Sequence, residues 1–234
     1  MIIKGLQKTT LLDYPGRVAA TIFMGGCNMR CPFCHNMDIV EGGPKEDDYT
    51  AEEVLEFLRK RKNVLEGVCI TGGEPTLYSD LPDFIREIKA VGYKVKLDTN
   101  GTNPQMVKNL YKEGLIDYVA MDIKSSMAEY KKVCANQEIN LEAIRESVDF
   151  LIEDKEQKLD YEFRTTIVKN YHNKEVMEDI GKLIEGADKY FLQNFVDSDY
   201  VQNHDLLPAS KEMLEEFVEV MKAHVKQVSI RGEM

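Results

Sequence analysis

Apolar residues recur along the chain in two alternating patterns. Short runs at 18–24, 67–71, 94–98, 118–123, 161–168 and 190–195 have the length and bounding turn residues of strands. Between them the apolar period lengthens to that of helices. Thr50 caps the first of these, with Glu53 three residues later and Val54, Leu55 and Leu58 on one face. Further helices are predicted over 79–91, 105–113 (entered by Pro104), 141–153, 174–184 and 210–224. Pro15-Gly16 marks a turn within residues 1–17, 125–136 reads as a polar helical excursion, and 196–209 is irregular. Residues 225–231 offer a candidate final strand.

Six strands alternating with six helices imply parallel βαβ units with right-handed crossovers. Taken between Phe23, Ile70, Leu97, Met121, Thr165 and Leu192, the strand-to-strand steps are 47, 27, 24, 44 and 27 residues. The shorter steps fit a minimal βα unit. The two long ones carry extra loops, both after strand C-termini, the face that bears the active site in parallel barrels. The expected fold is therefore α/β, a partial (β/α)6 TIM-like barrel, with an open doubly wound sheet as the alternative. At 234 residues a single domain over 1–234 is expected, made of an N-terminal segment 1–17, a core 18–195 and a C-terminal segment 196–234.

Charge narrows the partners. A net charge of −11 with no basic stripe excludes a nucleic-acid footprint. No apolar run approaches the roughly 18 residues of a membrane span, so no membrane partner is expected. Residues 1–6 lack the apolar segment of a signal peptide, which makes the cytoplasm the default location. Five cysteines in such a chain read as thiols or metal ligands, not as a disulfide framework. Cys69, inside a strand, reads as a small buried hydrophobe.

The remaining chemistry is concentrated at strand ends. Gly25-Gly26-Cys27-Asn28-Met29-Arg30-Cys31-Pro32-Phe33-Cys34-His35-Asn36 follows the first strand and sets three thiols at C-x3-C-x2-C spacing. Thiolates select zinc, copper(I) or iron–sulfur clusters. A structural zinc site closes with four ligands, and adjacent His35 is poorly placed to be the fourth. A triplet suits a four-iron cluster with one coordination position free. The second strand ends in Gly72-Gly73-Glu74-Pro75, the third in Asp98-Thr99-Asn100-Gly101 and the fourth in Asp122-Ile123-Lys124, while the fifth carries Arg164. Each has an ordinary reading as a turn or a local ion pair; Asp122 and Lys124 share a strand face and can simply pair with each other. His172, His204 and His224 have no ligand spacing and read as surface residues.

These residues together make the chain resemble the radical S-adenosylmethionine superfamily. Its hallmark triplet is present as Cys27, Cys31 and Cys34, with the aromatic Phe33 before the third cysteine, and Gly72-Gly73-Glu74 matches the family's Gly-Gly-Glu segment. The resemblance implies a 4Fe-4S cluster on the three cysteines, its fourth iron open to the amino and carboxylate groups of S-adenosylmethionine. An electron delivered through the cluster would cleave that cofactor to methionine and a 5′-deoxyadenosyl radical. It further implies that Gly72 and Gly73 approach the methionine moiety, Glu74 meets its ammonium, Phe33 lies by the adenine and Lys124 takes the carboxylate. Asp98 and Asp122 would lie nearby, and Arg164 would also contact the cofactor. No side chain is assigned as a general acid or base.

Within the superfamily the chain is similar to the activating proteins of glycyl-radical enzymes, the anaerobic ribonucleoside-triphosphate reductase activating type, and to pyruvate formate-lyase activase. His35-Asn36 after the third cysteine favours that group over the deazaguanine-forming synthases, which carry an acidic residue and Thr there. The implied partners are a glycyl-radical enzyme as protein substrate and reduced flavodoxin or ferredoxin as electron donor, in an anaerobic setting. Two features depart from the pattern: there is no cysteine-rich ferredoxin insert, and Leu192-Gln193-Asn194-Phe195 stands where pyruvate formate-lyase activases tend to place a histidine. The alternatives are a radical enzyme acting on a small molecule, like 7-carboxy-7-deazaguanine synthase, or on another peptide.

Overall fold

The computed structural model describes residues 1–153 and 159–232. The last two residues of the expected C-terminal segment lie outside the described residues. One sheet holds β1 (Ile3–Thr10), β2 (Ala19–Met24), β3 (Gly67–Gly72), β4 (Lys94–Thr99), β5 (Tyr118–Asp122), β6 (Asp160–Ile167), β7 (Lys189–Asn194) and β8 (Gln227–Arg231), adjacent in that order. Neighbours from β2 to β8 are parallel, and β1 is antiparallel to β2. A doubly wound sheet would reverse its strand order at a switch point. This order never reverses, so the sheet is an open barrel with β1 and β8 as its edges.

The helices are α1 (Met37–Glu41), α2 (Ala51–Arg61), α3 (Leu81–Val91), α4 (Pro104–Lys112), α5 (Tyr130–Val133), α6 (Leu141–Ile152), α7 (Lys174–Leu183) and α8 (Lys211–Lys222). The predicted capping box is present: Thr50 accepts from the Glu53 N–H, and Glu53 reaches back to the Thr50 N–H. The six predicted strands correspond to β2 to β7. The N-terminal strand β1 was not predicted; only Ile3 and Thr10, at its two ends, are buried, so it shows no clean alternation. The excursion over 125–136 contains only the single turn α5 rather than a longer helix.

Alternate strand positions face opposite sides. One set, including Ile22, Ile70, Leu97, Met121, Phe163 and Leu192, is fully buried against helix residues such as Leu58, Ile85, Val148 and Met221. The other set faces the barrel interior and is largely polar. The register puts Thr21, Cys69, Lys96 and Tyr118 side by side, and Asp122 beside Arg164. The apolar core therefore lies between sheet and helices, and the barrel axis carries charge.

Two contacts fix the strand ends that face the cysteine loop. The Gly73 N–H donates to the Met24 carbonyl at 2.8 Å and the Glu74 N–H to the Gly26 carbonyl at 2.9 Å. A Cβ built on Gly73 would stand 1.8 Å from the Gly26 oxygen, so glycine is needed there for backbone packing. His172, expected at the surface, is 2% exposed. Its Nδ1 accepts from the Val168 N–H at 3.0 Å, which assigns the ring proton to Nε2, 3.1 Å from the Lys124 carbonyl. This ring ties the segment after β6 to the end of β5.

Gly73→Ala is expected to cost about 2–4 kcal/mol in urea unfolding. Gly43→Ala, with nothing within 4 Å of its Cβ, is expected to stay within about 0.5 kcal/mol of wild type. Burial lowers the His172 pKa, outweighing its backbone hydrogen bonds, so the fold holds the neutral ring while the unfolded chain protonates near the ordinary value of about 6.5. The stability this contributes is present above that pH and lost as pH falls through the lowered folded value. The stability difference between wild type and His172→Gln, measured by denaturant midpoints at pH 8, 6.5 and 5, is expected to shrink at each step down.

Candidate functional site

The cysteine loop starts at Gly25, directly after β2, and has little regular structure of its own. Neighbouring elements hold it. Gly25 N–H donates to the Ile2 carbonyl at 3.0 Å, and Tyr78 Oη donates to the Gly25 carbonyl at 2.7 Å. Arg30 N–H donates to the Cys134 carbonyl at 2.9 Å, and Asn136 Nδ2 to the Asn28 carbonyl at 2.7 Å. Asn36 Nδ2 donates to the Gly72 carbonyl at 3.0 Å. From β4's end, Asn100 Nδ2 donates to Asn28 Oδ1 at 2.8 Å.

Cys27, Cys31 and Cys34 open onto one cavity of about 260 Å³ at the C-terminal ends of the strands. Its lining also contains Phe33, Gly72, Gly73, Glu74, Asp98, Asp122, Lys124 and Arg164, so the residues expected to hold cluster and cofactor meet there. Asn100, from the turn ending the third predicted strand, Thr166 and Gln193 line it too. Gln193 occupies the position noted for its missing histidine.

The donor set fits an iron–sulfur cluster. Met29 N–H lies 3.4 Å from Cys27 Sγ, Asn36 N–H 3.4 Å from Cys34 Sγ and Asn100 Nδ2 3.8 Å from Cys27 Sγ. Such donors stabilise sulfur that carries negative charge. Burial pushes the Cys27 thiol up to about 11, against the opposing Met29 N–H, and raises Cys34 as well. Cluster uptake by these residues would be coupled to proton release. His35 is turned away from a ligand role, with Nε2 2.7 Å from the Val196 carbonyl and its ring stacked on Phe195.

The opposite wall is an ion network. Arg164 Nε meets Asp122 Oδ1 at 2.9 Å, and Arg164 Nη1 meets Asp98 Oδ2 at 3.2 Å. Lys124 Nζ donates to Asp122 Oδ2 at 2.9 Å, Thr71 Oγ1 to Asp98 Oδ2 at 3.1 Å, and Lys96 pairs with Asp98. Burial alone would raise Asp122, but Arg164 and Lys124 outweigh it and bring its pKa to about 2. Burial opposes the charge on Lys124 and Arg164, yet Asp122 raises Lys124, and Asp122 with Asp98 raises Arg164. Of this network Lys124, Arg164, Asp98 and Asp122 line the cavity, together with Glu74, while Lys96 lies behind them. Lys124 Nζ, hydrogen-bonded to Asp122, keeps donors for a ligand carboxylate.

Glu74, at the cavity wall, is held from several sides. Its carboxylate is 1% exposed, and Oε1 accepts from the Thr76 N–H at 3.1 Å, Thr76 Oγ1 at 2.5 Å and Thr99 Oγ1 at 2.8 Å. Oε2 accepts from the Asn100 N–H at 2.6 Å. Three donors crowd Oε1 while Oε2 accepts one, so Oε2 keeps a lone pair for a further donor. It clamps the turn after β3 to the turn after β4. Burial raises its pKa despite these bonds.

Comparison with known proteins agrees with this donor set. The profile of the Radical SAM superfamily matches residues 21–185. The chain is 34% identical over 236 residues to a protein of Methanocaldococcus jannaschii named "Putative glycyl-radical enzyme activating enzyme MJ1227", covering 98% of this chain and 95% of that one. It is 34% identical over 128 residues to the pyruvate formate-lyase-activating enzyme of Clostridium pasteurianum, and the match spans about half of each chain, 52% and 52%. In fold it is similar to Streptococcus suis SuiB bound to S-adenosylmethionine, with a TM-score of 0.68 at 14% identity, covering 91% of this chain and 52% of that one. The partial barrel and the three-cysteine loop thus have one explanation: the chain belongs to the radical SAM superfamily, enzymes whose cofactors are a 4Fe-4S cluster and S-adenosylmethionine.

Proposed function

We propose that this radical SAM enzyme installs a glycyl radical on a partner enzyme, such as an anaerobic ribonucleotide reductase. The observation that carries this reading is the end-to-end match, 98% of one chain against 95% of the other, to a relative bearing an activating-enzyme name. When bound, the cluster and S-adenosylmethionine supply one-electron chemistry, a 5′-deoxyadenosyl radical able to take hydrogen from a backbone glycine. The chain's own residues bind and orient. Cys27, Cys31 and Cys34 hold the cluster. Gly72 and Gly73 lie along the methionine moiety and Phe33 beside the adenine. Lys124 takes the carboxylate, while Asp98, Asp122 and Arg164 keep it oriented. Glu74 meets the ammonium through Oε2 and holds the Gly72-Gly73 turn in place. The electron comes from reduced flavodoxin or ferredoxin.

Among the described residues no helix is long and apolar enough to cross a membrane.

Anaerobic reconstitution is expected to give about four irons per chain and reductive cleavage of S-adenosylmethionine; one zinc and no cleavage would overturn the assignment. Incubation with candidate glycyl-radical enzymes should produce a glycyl radical signal in electron paramagnetic resonance with one of them. Silence with every such enzyme of the source organism sends the search to small-molecule and peptide substrates. Lys124→Met is expected to weaken S-adenosylmethionine binding to the reconstituted enzyme about tenfold or more, read by equilibrium binding.

A further inference from the structure

Cys134 lies about a hundred residues from the cysteine triplet in sequence, in the excursion after β5, yet the fold brings it to the middle ligand. Its side chain is fully buried, Cys31 is 6% exposed, and both pack in one core cluster, with the Cys134 thiol near enough to favour the Cys31 thiolate. The surrounding backbone is built to hold that contact. The Cys134 carbonyl accepts from the Arg30 N–H at 2.9 Å, one residue before Cys31. Two residues on, Asn136 Nδ2 donates to the Asn28 carbonyl at 2.7 Å. The Cys134 N–H donates to the Tyr130 carbonyl at 2.9 Å, closing α5. Ala135, next in the chain, is the one non-glycine residue with positive φ among the described residues, at 48°. A left-handed alanine costs conformational energy, and here it turns the chain so that Cys134 and Asn136 both reach the cysteine loop.

We propose that Cys134 is a positioning residue for the cluster, donating an S–H···S hydrogen bond to Cys31 Sγ rather than serving as a ligand. This rests on the reading of the triplet as cluster ligands. A donor on a ligand sulfur withdraws charge and favours the reduced, more negative cluster, so it raises the reduction potential. Cys31 then differs from Cys27 and Cys34, whose sulfurs receive their donors from the Met29 and Asn36 backbone and the Asn100 amide. Asn100 also donates to Asn28 Oδ1 in the ligand loop, so of these two side chains Cys134 is the one whose thiol can be replaced without removing that second contact.

The test is a potentiometric titration, followed by electron paramagnetic resonance, of reconstituted wild type, Cys134→Ala, Cys134→Val and Cys134→Ser, with iron content and far-ultraviolet circular dichroism measured on each. All four should load the same iron. At a fixed applied potential the reduced-to-oxidised ratio is expected to fall about fivefold in Ala and Val, the worth of one hydrogen bond, and to return toward wild type in Ser, which keeps a donor. Unchanged potentials in Ala and Val overturn the proposal. So does iron loss in folded Ala or Val, since that makes Cys134 a ligand. Val fills the volume that Ala empties, so one donor-free variant remains if the other fails to fold. Cys31→Ala separates the premise from the proposal: if wild type loads a cluster and Cys31→Ala does not, the ligand reading stands and the Cys134 variants decide. If wild type loads none, the ligand reading itself fails.

Discussion

A charged side chain inside a protein costs several kcal/mol unless opposite charge and hydrogen bonds surround it. This barrel places Lys96, Asp98, Asp122, Arg164, Glu162 and Arg231 on its inner side, and the pairing among them governs what the site can be. At one end Glu162 is closed off by Arg231, at 2.5 and 2.7 Å, and by Tyr118 Oη at 2.6 Å. Toward the cavity Arg164 bridges Asp98 and Asp122, and Lys124 leans on Asp122. The two aspartates thereby fix the direction of the cations.

The same logic explains why the cysteine loop can be nearly free of secondary structure and still be ordered. Its backbone polar groups are satisfied by other elements: Ile2 before β1, the turns after β3 and β4, and the excursion after β5. Each of those segments also touches the cavity wall or its immediate support. Glu74 is the joint between them, since its four accepted hydrogen bonds tie the Gly72-Gly73 turn to Thr99 and Asn100. Asn100 in turn reaches Asn28 and Cys27 Sγ. A glycine pair that looks like a cofactor motif is thus first a packing requirement between two strand ends, with Gly73 resting on the Gly26 carbonyl.

The periodicity of the chain was enough to locate β2 to β7 and six of the helices, because buried strands and amphipathic helices leave strong local patterns. It also offered 225–231 as a final strand, where β8 lies, but was not enough for β1, whose positions lack alternation. His172 was read as a surface residue because a histidine in a loop carries no local mark of burial. Only the packing of the segment after β6 onto β5 puts it under the Lys124 carbonyl.

The residue types and spacing of Cys27, Cys31 and Cys34, and the placement of polar residues at successive strand ends, were determined by the sequence alone. Those features follow from local chemistry and from the rule that parallel strands gather their C-termini on one face. Tertiary structure decided how the groups are used. It tied Glu74 to Thr76, Thr99 and Asn100, paired the aspartates with Arg164, Lys124 and Lys96, and brought Cys134 to the cysteine loop across about a hundred residues. Such long-range pairings depend on register and loop packing, which no local pattern encodes. The thiol triplet was therefore legible as a cluster site, and the fourth thiol beside it became visible only in the folded chain.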